Sequence, residues 1–114
     1  MHAKLILPDG IVEAIGNDNF AVLERLSNYL RNHYDIRNSL MVEVEESRNS
    51  TIALFFENRP LRVLVTREFL SAYRDSDLAS ELDDRWFLPI LLQECTSGDV
   101  VALDSESIER IRRA

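Results

Sequence analysis

The sequence predicts a single α+β domain: a mainly antiparallel sheet, made of an N-terminal hairpin and a three-stranded meander, with helices packed on it. Three observations carry that expectation. Across 40–66 the apolar residues alternate with polar ones or run nearly unbroken for about six residues, as strands do. Across 20–34 they recur at spacings of three and four, as on one face of a helix. The chain has 114 residues, enough for one core, and its three Gly and three Pro leave no room for a long flexible linker.

The elements follow in order. Lys4 to Leu7 and Ile11 to Ile15 flank Pro8-Asp9-Gly10, where Gly can supply a positive φ, and this reads as a β-hairpin. Gly16-Asn17-Asp18 breaks the strand, and Asn17 or Asp18 can cap a helix over 18–33. Phe20, Leu23, Leu26, Leu30 and Tyr34 form its apolar stripe, with Glu24, Arg25 and Asn28 on the wet side. Leu40, Val42 and Val44 alternate with Met41, Glu43 and Glu45, giving a strand with one buried face. Thr51 to Glu57 is apolar on both faces, which suits the middle strand of a meander completed by 61–66. Asn58-Arg59-Pro60 makes the turn between these two strands.

Thr66 is a good N-cap for a helix carrying Phe69, Leu70 and Tyr73. A short helix can start at Ser76 or Asp77 and turn Leu78 and Leu82 inward. Pro89 fits only a first turn, so another helix begins near it and ends before Ser97-Gly98. Val100 to Leu103 reads as a short strand and 105–113 as a final helix showing Ile108 and Ile111 inward.

Composition narrows the function. Thirteen Lys and Arg against twenty Asp and Glu give a net charge of −7. Such a chain is repelled by phosphate backbones and anionic lipid, so neither nucleic acid nor membrane is an expected direct partner. The one basic cluster, Arg110, Arg112 and Arg113, is offset by Glu106 and Glu109 and reads as complementing a helix C-terminus. The longest apolar run, Trp86 to Leu92, is far too short to span a bilayer, and the N-terminus does not read as a signal peptide. Cys95 is alone, which excludes a disulfide framework and a Cys-x-x-Cys pair and points to a reducing, cytoplasmic setting. Twelve of the thirteen basic residues are Arg, which suits planar, bidentate contact with carboxylates.

No cofactor or catalytic motif is present. His2 and His33 stand far apart without ligands at metal spacing, and His33 reads as a helix C-terminal cap. Cys95 sits in a half-apolar helical run and reads as a buried structural thiol. Three glycines in all cannot build a phosphate loop or a dinucleotide fingerprint. With Asp75 as position one of a calcium loop, position five is Ala79 and position six Ser80, so the loop fails.

Two surfaces remain. The first joins five acids in ten residues (Asp75, Asp77, Glu81, Asp83 and Asp84) to the only Trp, Trp86, and to Phe87. Carboxylates steering a basic partner toward an aromatic anchor would make a protein contact. The competing reading is a solvated helix over a Trp buried in the chain's own core. The second is the sheet face carrying Met41, Glu43, Glu45, Ala53, Phe55, Arg62 and Leu64, half apolar and half charged. Either a helix of this chain covers its apolar centre, or a partner or second copy does.

The expected function is that of a small acidic cytoplasmic protein, not an enzyme, that binds another protein. It would be an inhibitor, an immunity or antitoxin-like factor, or an adaptor, with a basic or nucleic-acid-binding site on its partner as target. The alternatives are a small enzyme or ligand-binding subunit with a site assembled from scattered residues, and a structural homo-oligomer such as a homodimer.

Overall fold

The computed structural model describes residues 4–34, 37–45, 51–57, 61–85, 88–94, 100–104 and 108–111. Six strands form one sheet in sequence order: β1 (Leu5–Ile6), β2 (Leu40–Glu45), β3 (Thr51–Phe56), β4 (Arg62–Val65), β5 (Val100–Leu103) and β6 (Ile108–Ile111). The sheet is mixed. β2, β3 and β4 are the antiparallel meander that the alternation predicted, with β3 in the middle, and β5–β6 is a second antiparallel pair. β1–β2 and β4–β5 are parallel.

The expected N-terminal hairpin does not form. Ile11–Ile15 is a short helix, α1, and α2 follows at Asn17–His33. Ile11 and Ile15 lie four apart, and both are buried, so the segment satisfies helical spacing better than alternation. Gly10 enters α1 at φ 77° and Gly16 leaves it at φ 90°, conformations that only glycine takes without strain. Gly16 also occupies the N-cap of α2, so the capping expected of Asn17 or Asp18 is absent. Asn19, one turn in, sends its amide back to the Ile15 carbonyl at 3.0 Å and closes the end of α1. β1, left without a hairpin partner, pairs with β2.

The end of the chain departs from expectation too. The segment expected as a helix over 105–113 contains β6, registered against β5 from Val100↔Ile111 to Leu103↔Ile108. A spacing of three between Ile108 and Ile111 fits a helix, but both are β-branched and β5 offers an open ladder. Tertiary pairing overrides so short a periodic signal.

The other helices match the sequence. Thr66 Oγ accepts the Phe69 N–H at 3.1 Å and caps α3 (Arg67–Ala72). Asp77, rather than Ser76, caps α4 (Leu78–Ser80), which runs into a wider, π-type helical turn at Glu81–Arg85. α5 spans Leu88–Glu94, with Pro89 in its first turn.

Topology decides what covers the sheet. β1, β2, β4 and β5 run the same way, and both parallel connections step in the same direction across the sheet. The right-handed preference of such crossovers therefore sends α1–α2 and α3–α5 to the same face. The core agrees: Leu23, Leu26 and Leu30 of α2, Phe69 and Leu70 of α3, Leu78, Leu82 and Leu88 join Leu40, Ile52, Leu54, Val63, Val65 and Val101 in one cluster. These strand residues alternate with the outward-facing set, so the helices occupy one side only.

Candidate protein-binding surfaces

The acidic segment lies against the exposed flank of α2, and specific bonds hold it there. Arg25, on the wet side of α2, donates from its guanidinium to the carbonyls of Tyr73 (3.0 Å), Arg74 (3.2 Å) and Ser76 (3.0 Å). Carbonyls at the end of α3 thus find a cation in place of the next helical turn. One turn on, Tyr29 is buried and its hydroxyl donates to Asp83 Oδ1 at 2.5 Å. Burial raises the phenol pKa well above its ordinary value, and the hydrogen bond to Asp83 and its negative charge add to the rise. The His33 ring stacks on Tyr29, centroids 4.1 Å apart, while its Nδ1 donates to the Tyr29 carbonyl at 3.0 Å. This is the C-terminal cap that the sequence suggested.

Asp77 accepts from the Ser80 N–H at 3.2 Å and from the Ser80 hydroxyl at 3.0 Å. The Ser80 N–H and then its hydroxyl hold the Asp77 carboxyl below the usual range. Two of the five acids, Asp77 and Asp83, are therefore committed to the fold. Glu81 is half-buried. Asp75 and Asp84 are exposed and make no hydrogen bond or ion pair among the described residues.

Between α2 and α4 lies a cleft of about 320 Å³, walled by Asn28, Asn32 and His33 on one side and by Asp77, Leu78 and Ala79 on the other. Asp77 also borders a second hollow of about 380 Å³, lined by Ser80, Glu81 and Asp84. Ile90 on α5 is 56% exposed, the most open large apolar side chain among the described residues. The anchors expected at this junction, Trp86 and Phe87, lie outside the described residues, as do Cys95, Arg112 and Arg113.

The second surface is the bare face of the sheet. The register sets Met41, Phe55 and Arg62 in one row, Glu43, Ala53 and Leu64 in the next, and Glu45 and Thr51 in a third. Every residue expected on this face is there. None of Met41, Phe55 or Leu64 belongs to the core or packs against it. Among the described residues, no helix of this chain packs over its centre. Arg62 instead reaches diagonally across β3 to Glu45, Nη2 to Oε1 at 3.2 Å, and its guanidinium lies 5.3 Å from the centroid of the Phe55 ring. Ala53 sits at the midpoint of that diagonal and has no exposed surface. A long Arg stem spread over apolar neighbours shields them while its head stays polar.

The sequence pointed to both surfaces but to neither set of bonds. Arg25 and Tyr29 did not figure as candidates, because their partners lie 48 to 54 residues away. Tyr29 had one legible sign: it stands three residues beyond Leu26, on the edge of the apolar stripe.

Among the described residues no group of three or more His, Cys, Asp or Glu side chains converges as a metal site would require, and no helix is long and apolar enough to cross a membrane. Compared with protein-family models, with curated proteins and with solved structures, the chain matches none.

Proposed function

We propose that this protein acts by binding another protein, and that the edge formed by α2 and residues 75–84 receives a basic surface of that partner. The observation carrying this reading is the pair Asp75 and Asp84, exposed and unbonded among the described residues while Asp77 and Asp83 anchor the segment between and beside them. An edge of fixed shape with uncompensated carboxylates gives an approaching cation both steering and a fixed target. Ile90 supplies apolar area nearby, because α5 packs against the 81–85 turn. The net charge of −7 favours the same class of partner over any polyanion.

The test is capture of basic proteins from lysate by the immobilised chain, with the captured proteins identified by mass spectrometry. Capture weakens with salt, and the Asp75→Asn/Asp84→Asn variant loses about tenfold in affinity, a loss of roughly 1.4 kcal/mol. Captured proteins that bind the variant as strongly as the original would refute acidic recognition. Asp77 and Asp83 stay untouched in this variant, since they hold the fold.

A further inference from the structure

The bare sheet face has a symmetry of charge that the acidic edge lacks. Arg62 and Glu45 stand at opposite corners of a rectangle of residues, two strands and two same-face rows apart, with Ala53 in the middle. A two-fold axis lying in the face, through Ala53 and perpendicular to the Arg62–Glu45 diagonal, exchanges those two corners. Applied to a second copy, it sets Arg62 of each chain over Glu45 of the other and Ala53 over Ala53.

We propose that two copies of this chain pair through this face, exchanging the Arg62–Glu45 bridge between them. No charge has to be left unpaired when the copies meet, because the ion pair made within one chain is remade twice between two. The same operation brings Glu43, exposed in the single chain, over Phe55 and next to Arg62 of the second copy, so each Arg gains a second carboxylate. At the centre Ala53 has only a methyl side chain, which lets the sheets approach where the axis passes. The strands of the two sheets then cross at a steep angle of about 70°, nearer the orthogonal than the aligned way for sheets to pack. Half-exposed Met41, Leu64 and Ala102 would be removed from water, and such surface otherwise favours association. The described helices pack on the far side and so do not block the approach.

A foreign protein would need to supply its own complement to this diagonal; a second copy carries it already. The net charge of −7 on each chain opposes indiscriminate association, so pairing must come from this local match.

Sedimentation equilibrium and light scattering at rising protein concentration test the proposal. The expected mass is that of two chains. Arg62→Glu and Glu45→Arg, each alone, set like charges against each other and weaken association about tenfold or more. The double variant Arg62→Glu/Glu45→Arg restores it, a result that a purely structural loss does not produce. Leu64→Glu, at a half-exposed position outside the core, also weakens association, and circular dichroism of each variant confirms that it is folded. The mass of one chain at every concentration overturns the proposal, as does a two-chain species indifferent to both single charge reversals. The Asp75→Asn/Asp84→Asn variant keeps the two-chain mass, which separates this surface from the acidic edge.

Discussion

Arg62 of β4 and Glu45 of β2 meet at 3.2 Å across an intervening strand, and Ala53 of that strand lies beneath them, wholly covered. A strand face that would otherwise show water an apolar centre is thereby closed by a charged pair of its own. Both side chains remain about one-third exposed, so the attraction itself is screened. A double-mutant cycle between Arg62→Met and Glu45→Gln, measured by urea denaturation of the unassociated chain, gives a coupling of about 0.5 kcal/mol that shrinks in high salt. Arg62→Ala costs more than Arg62→Met, because Met keeps a stem over Ala53 and Phe55.

Tyr29 and Asp77 contribute to opposite limbs of the stability-against-pH curve. The folded Tyr29 phenol titrates above its ordinary value, so its contribution is whole below pH ~10 and is lost as pH rises past that point. The folded Asp77 carboxyl titrates below its ordinary 3.8, so its contribution is whole above that pH and is lost as pH falls through the folded value. Tyr29→Phe flattens the alkaline limb and costs about 1 kcal/mol at neutral pH. Asp77→Asn flattens the acid limb and leaves the alkaline one. Denaturant midpoints measured from acid to alkaline pH check both.

Arg25→Met removes the cation that holds the carbonyls of Tyr73, Arg74 and Ser76 against α2. Since these carbonyls can return to water, the expected global cost is about 1 kcal/mol. The sharper readout is local. Amide exchange at Ser80 and Glu81, whose N–H groups bond to Asp77, accelerates before the sheet amides change.

Gly16 joins α1 to α2 at φ 90°, and no atom lies within contact distance of the place a Cβ would occupy. Gly16→Ala therefore carries a backbone cost alone, about 1–3 kcal/mol, seen as a lowered urea midpoint.

The outer-face set at 41, 43, 45, 53, 55, 62 and 64 was legible in the sequence because alternation is a local, two-residue rule. So were the stripe of α2, the caps at Thr66 and Asp77 and the strand at 100–103, each read from residues within a turn of one another. The two misread elements, a hairpin at 4–15 and a helix at 105–113, fall on short segments where two periods fit nearly as well. There the parallel pairing of β1 with β2 and the open ladder of β5 decided the outcome.

By itself, then, the sequence determined the α+β class, the central meander and the two surfaces in question. Only the tertiary structure decided that both crossovers cover the same face, that Asp77 and Asp83 serve the fold while Asp75 and Asp84 stay open, and that Arg62 closes the gap over Ala53. The reason is physical. Periodicity and capping act over a few residues, whereas these contacts join side chains from strands and helices far apart in sequence, whose meeting depends on the handedness and order of the whole sheet.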